Sequence, residues 1–125
     1  MIVGIGTDIA RIERFERALA RHGLRFMRRV LGPREQARYS AHAQPVAYLA
    51  KRFAAKEAFL KALGTGLRHG MRWGEIEILN DAQGKPELHL SGAARQFYAS
   101  VGVSRCHVSL SDEKAYAIAF VILER

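Results

Sequence analysis

The sequence predicts an α+β fold, with a mostly antiparallel sheet packed on helices and one long helix near the middle of the chain. Two observations carry this. The first 63 residues hold one strand-like stretch and then helical periodicity closed by glycine and proline signals, whereas the remainder alternates with period two around turn-forming stretches. The resulting order is β-α-α-α-β-β-α-β-β, and strands joined by short polar turns pair antiparallel.

Ile2 to Ile9, IVGIGTDI, reads as the first strand. Val3, Ile5 and Ile9 share one face, while Ile2, Gly4, Gly6 and Asp8 share the other. The second face lacks bulk, so another backbone or a ligand can approach Asp8 closely. A helix is expected from about Ala10 to Ala20, broken by Gly23, with a short helix over Leu24 to Val30. Pro33 suits the first position of the next helix. The long helix starts near Pro45 and runs to Leu63, where Gly64 supplies the stop. EIEIL (Glu75 to Leu79) and PELHL flank the turn chemistry of NDAQGKP and form a hairpin. GAARQFYASVG reads as a helix, and RCHVSLS and AYAIAFVIL are two strands joined by the turn DEK.

With 125 residues and no shift in composition, one domain over 1–125 is expected. No apolar run approaches the ~20 residues of a membrane span, and MIVGIGTDIAR lacks the pattern of a secretory signal. Cys106 is the single cysteine, which precludes an internal disulfide. A cytoplasmic protein without membrane contact is the expectation.

Two carboxylates are oddly placed. On a helical wheel Val46, Leu49, Ala50, Phe53 and Leu60 form one stripe, and Glu57 falls within it with Lys61 one turn on. A buried carboxylate needs a partner. An i,i+4 pair with Lys61 is the ordinary answer. Asp8 ends an apolar strand on its glycine face, where capping the next helix is the ordinary role. Two inward carboxylates on separate elements can instead share a hard cation such as Mg²⁺, whose shell water and substrate phosphate complete.

The charge balance fits a phosphate-bearing substrate. Lys and Arg number 20 against 12 Asp and Glu, a net +8 that concentrates anions. Seven arginines precede residue 30, and Arg14, Arg17 and Arg21 form one basic stripe. Arg25 and Arg28 continue it if Gly23 does not redirect the chain, and Phe26 and Met27 interleave as a contact patch requires. A nucleic-acid-binding module is the rival reading. Inward carboxylates repel phosphate in the absence of metal, and no helix-turn-helix, zinc-knuckle or RNP-like pattern is present, so no nucleic-acid partner is expected.

G-T-D-I with Arg14 close behind, and F-A-A-K-E-A-F-L-K-A-L-G-T-G from Phe53 to Gly66, resemble the 4′-phosphopantetheinyl transferases. The resemblance extends from Ile5 through NDAQGKP and CHVSLS to the final YAIAFVILER, and the length matches the short single-domain members. It implies their fold, with the sheet and helices arranged about one long central helix. It implies transfer of phosphopantetheine from coenzyme A to a serine of an acidic apo acyl carrier protein, in support of fatty acid biosynthesis. Mg²⁺ would be the cofactor, with Asp8 and Glu57 as ligands. Glu57, directly or through a water, would accept the serine proton, and Lys61 would stabilise the leaving oxygen.

The resemblance also assigns coenzyme A contacts to Arg52, Lys56, Gly64, Thr65, Gly66, Gly84, Lys85, Pro86 and His107. The wheel itself places Arg52 on the outer face, and Gly64 to Gly66 also suit a helix C-cap. Carrier-protein docking would fall to Arg14, Arg17, Arg21, Arg25, Phe26 and Arg28. The short members are homotrimers with sites between subunits, and that assembly is implied here too.

Overall fold

The computed structural model describes residues 1–125. Strand β1 (Ile2–Arg11) leads into helices α1 (Ile12–His22), α2 (Leu24–Val30), α3 (Pro33–Ala41) and α4 (Pro45–Leu63). A 3₁₀ turn at Trp73–Glu75 precedes the hairpin of β2 (Ile76–Asn80) and β3 (Pro86–Leu90). Helix α5 (Gly92–Ser100) and strands β4 (Arg105–Asp112) and β5 (Tyr116–Glu124) complete the chain. One sheet has the order β1-β5-β4 and the other is β2-β3; every pairing is antiparallel. No helix is long and apolar enough to cross a membrane.

The helix boundaries follow local chemistry. Pro33 and Pro45 sit at the first turns of α3 and α4, where a missing N–H costs nothing. Gly64 closes α4 in the left-handed conformation, φ 79° and ψ 18°, its N–H donating to the Leu60 and Lys61 carbonyls. Gly23 separates α1 from α2 at φ 64°.

Two boundaries differ from expectation. Strand β1 runs to Arg11 because Ala10 and Arg11 pair with Ala117 and Tyr116, so α1 begins at Ile12. Asp8 therefore lies inside the strand and caps no helix. The hairpin strand starts at Ile76 because Glu75 belongs to the 3₁₀ turn.

Helix α4 is the hub, packing on β1 and β5 on one side and on α1, α3 and β2 on others. The glycine face of β1 makes this possible. A Cβ on Gly6 would stand 1.9 Å from the Ala58 carbonyl oxygen, and one on Gly4 2.1 Å from that of Ala62. The space read in the sequence as room for a backbone or ligand is filled here by α4 itself. Helix α4 consequently buries Tyr48, Leu49, Ala54, Ala55, Ala58 and Phe59 around most of its circumference. The single stripe drawn on the wheel does not describe it.

The outer face of the larger sheet is different. Ile5 and Ile9 on β1 are each 61% exposed, and Ile118 and Phe120 on β5 are also exposed. They stand together, since Ile9 pairs with Ile118 and Thr7 with Phe120.

Candidate active site

Strand β1 and helix α4 bring Asp8, Glu57 and Lys61 into one region. Gly4 abuts Ala62 and Gly6 abuts Ala58, so each two-residue step along β1 matches about one turn of α4. That register sets Asp8 beside the Ala54–Ala58 turn, which carries Glu57. Lys61 donates to Asp8 Oδ1 at 3.0 Å and to the Thr7 carbonyl at 2.9 Å. The expected Glu57–Lys61 pair is absent, because Lys61 reaches across to β1 instead.

Glu57 is half-buried rather than fully enclosed. Its Oε2 accepts the indole N–H of Trp73 at 3.0 Å. Each acidic side chain thus has one oxygen held by the protein, with Asp8 Oδ2 and Glu57 Oε1 taking no internal hydrogen bond. Two hard oxygens from separate elements, beside a cation that is more than half exposed, fit a Mg²⁺ ion completed by water and phosphate.

The carboxylate that is fully buried is Glu35, and its partner is Lys56. Neither side chain is exposed, and Nζ lies 2.5 Å from Oε1. Glu35 also accepts the Gly32 N–H at 3.0 Å and the Ile78 N–H at 2.8 Å, and Lys56 donates to the Trp73 carbonyl at 2.9 Å. Burial pushes the Lys56 ammonium below the usual lysine range, and Glu35 opposes that shift. This corrects the coenzyme A contact expected of Lys56, because its ammonium has no path to solvent. Glu35 carries no pattern that marks it in the sequence, since its partner is 21 residues away on another helix.

Arg52 is also buried, against the outer face the wheel gave it. Its guanidinium lies over the Tyr48 ring at 4.5 Å and donates to Asn80 Oδ1 at 3.2 Å, while Nε has no partner. This Nε is enclosed, so the coenzyme A contact expected of Arg52 is not open on this chain.

Within the G-T-G turn the Gly64 and Thr65 amides are spent on the Leu60 and Lys61 carbonyls, so of the three only Gly66 keeps an N–H open to an anion. Gly84, φ 89°, closes the β2-β3 turn, where Asp81 accepts the Gln83 and Lys85 amides.

Lys85, Pro86 and His107 line one cleft of about 490 Å³, together with Asp81, Arg95 and Tyr98. His107 lies 2.5 Å from Glu124, which holds that carboxylate below its usual range. Burial pushes the Cys106 thiol in the same cleft up to about 12, which disfavours its thiolate. This cleft does not include Asp8, Glu57 or Lys61.

The arginine stripe lines a second cleft of about 390 Å³. Arg14, Arg17 and Arg21 rim it, with Phe26, Phe53 and Trp73 among its apolar residues. The turn at Gly23 redirects the chain, so Arg28 lines a different cleft with Arg29 and Gly74, and Arg25 joins neither. Met27 is core, 5% exposed, and is not a contact residue. Trp73, which no sequence motif marks, borders the arginine cleft and also holds Glu57. Its only signal is that it is the sole tryptophan.

An antiparallel sheet packed on a long buried helix brings acidic and basic side chains together at the strand–helix seam. The family model of the 4′-phosphopantetheinyl transferase superfamily matches residues 4–121, and the chain belongs to that superfamily. Within it the chain groups with the holo-[acyl-carrier-protein] synthases and is an enzyme. The holo-[acyl-carrier-protein] synthase of Cronobacter sakazakii is 50% identical over 123 residues, which is 98% of either chain. The crystal structure of the Neisseria meningitidis enzyme of that name aligns over 100% of both chains with a TM-score of 0.96 and 45% identity. A Bacillus anthracis holo-(acyl-carrier-protein) synthase, solved in complex with CoA (3′,5′-ADP), aligns over 99% of this chain and 97% of its own. Its TM-score is 0.82 and its identity 37%.

Proposed function

We propose that the chain transfers 4′-phosphopantetheine from coenzyme A to a serine hydroxyl of an acidic apo acyl carrier protein, with Mg²⁺ as cofactor. The product would be the holo carrier used in fatty acid biosynthesis. The observation that carries this is the seam of Asp8, Glu57 and Lys61: two carboxylates with one open oxygen each, beside an exposed ammonium. The serine Oγ attacks the phosphorus that carries the pantetheine arm. The bond to the neighbouring phosphate oxygen breaks, and adenosine 3′,5′-bisphosphate leaves with that oxygen. Mg²⁺ bound by Asp8 and Glu57 would neutralise charge on the pyrophosphate. Glu57, or a water beside it, takes the serine proton. Lys61 supplies positive charge for the leaving oxygen.

Coenzyme A would be held by groups that one chain keeps apart. Lys85, Pro86 and His107 line a cleft separate from the seam, which suits a site completed by a neighbouring subunit. The exposed Ile5, Ile9, Ile118 and Phe120 supply an apolar face for such contact. A homotrimer with sites between subunits accounts for both observations. The Gly66 amide adds an anion-binding donor.

The test is incubation with coenzyme A, Mg²⁺ and an apo carrier protein, followed by intact mass of the carrier. A gain of one phosphopantetheine is expected, and an unmodified carrier would refute the reading.

A further inference from the structure

Trp73 stands between the two regions the proposed reaction needs. Its indole Nε1 donates to Glu57 Oε2 at 3.0 Å. Its ring packs against Phe53, centroids 5.4 Å apart, and borders the cleft rimmed by Arg14, Arg17 and Arg21. The Arg29 guanidinium lies over the ring at 5.7 Å. Its backbone is fixed as well, since its carbonyl accepts the fully buried Lys56 ammonium at 2.9 Å. Glu35 anchors that ammonium and accepts the Ile78 amide in the middle of β2. The main chain that carries the indole is therefore tied to a buried ion pair, and Phe53 and Arg29 bound the ring itself.

Glu57 is less constrained by itself. It is half-buried, and the terminal torsion of a glutamate is broad and nearly two-fold. A carboxylate free to rotate offers a cation either oxygen in many orientations. One oxygen pinned by a rigid N–H leaves the other as the single ligand atom in a defined plane.

Resting on the reading of Glu57 as a Mg²⁺ ligand, we propose that Trp73 is a positioning residue. Its indole N–H orients the Glu57 carboxylate for the metal, and the buried Lys56–Glu35 pair fixes the backbone from which the indole projects. Trp73→Phe keeps a six-membered aromatic ring for the contact with Phe53 and deletes the donor.

Because Trp73 is the only tryptophan, tryptophan emission reports on its surroundings, and Glu57→Gln isolates the part due to the Glu57 contact. Titrating the metal-free wild-type enzyme with MgCl₂ should change the emission saturably, and Glu57→Gln should abolish that response. In Trp73→Phe, kcat should fall roughly 10- to 100-fold and half-saturating Mg²⁺ should rise by about tenfold, the range for groups that orient a metal ligand. The KM values for coenzyme A and carrier protein should stay within about twofold, which marks loss of an interaction made in the transition state. Wild-type kcat and Mg²⁺ dependence in Trp73→Phe would overturn the positioning role, even where Glu57→Gln is inactive and the metal reading stands. An active Glu57→Gln enzyme with wild-type Mg²⁺ dependence would instead remove the metal reading itself. If Trp73→Phe does not fold, fluorescence of the folded wild type decides: emission indifferent to Mg²⁺ and identical in Glu57→Gln refutes the proposal.

Discussion

Lys61 donates to Asp8 Oδ1 at 3.0 Å, across the gap between helix and strand, and makes no pair with Glu57 on its own helix. The pair joins the strand carboxylate to the helix that carries the second carboxylate. With Lys61 more than half exposed, the ion pair contributes at most about 1 kcal/mol to stability. Its importance lies in where it places charge.

Asp8→Asn separates those two roles. The amide oxygen can still accept from Lys61, so the melting temperature should move by no more than about 5 °C, roughly the equivalent of 1 kcal/mol in a small domain. Turnover at fixed Mg²⁺ should fall by roughly 100-fold or more, beyond the 10–100-fold typical of groups that merely support a ligand. Steady-state kinetics alongside thermal melts would show it. Wild-type turnover would refute the proposal that Asp8 is a metal ligand.

Gly6 sets how closely β1 approaches α4. A Cβ there would stand 1.9 Å from the Ala58 carbonyl oxygen and 2.8 Å from the Ala62 nitrogen, both backbone atoms that cannot rotate away. Gly6→Ala should therefore cost at least the ~1–3 kcal/mol of an overpacked core. It should also lift Asp8 from Glu57, so activity should fall further than the unfolded fraction explains. Urea unfolding with activity measured well below the midpoint would check both. A variant as stable and active as wild type would contradict this strand–helix contact.

The Lys56–Glu35 pair should behave as an ion pair without solvent. Removing one partner strands a charge, so Lys56→Met and Glu35→Gln should each cost about 3–5 kcal/mol. The double variant should cost clearly less than the sum, since no uncompensated charge remains. A double-mutant cycle in urea measures the coupling. Simple additivity would mean that the two groups do not depend on each other.

The parts of the fold legible in sequence are those with local causes. Helix α4 has the bounds its Pro45 and Gly64 imply, and α2 begins immediately after Gly23. The NDAQGKP hairpin follows from its turn residues. Burial around α4 was not legible. Its periodicity assigns one apolar face, yet the sheet and the other helices enclose nearly all of it, so the wheel put Glu57 inside and Arg52 outside. The glycine face of β1 was recognised as a place of close approach, but the approaching group was the backbone of α4. Glu35 and Trp73 escaped notice because their partners, Lys56 and Glu57, are set by tertiary packing, 21 and 16 residues away.

The arginine cleft carries the last prediction. Arg17 is paired with Glu13 on its own helix, whereas Arg14 and Arg21 have no acidic partner. Their charges are available to an acidic protein approaching the cleft, where Phe26, Phe53 and Trp73 supply apolar contact. Arg14→Glu with Arg21→Glu should raise the KM for the carrier by tenfold or more, which corresponds to about 1.4 kcal/mol or more of lost binding. The effect should weaken as salt rises, because rim charges act mainly on encounter. The KM for coenzyme A should barely change, since its proposed contacts lie on other elements. Arg28→Glu provides the contrast. That side chain lines a different cleft beyond the Gly23 turn, so its reversal should raise the carrier KM far less. Varying each substrate in turn at two salt concentrations decides the matter. Equal rises in both KM values, or an Arg28 effect as large as that of the stripe, would mean that the net charge of the chain attracts the carrier and that this cleft does not dock it.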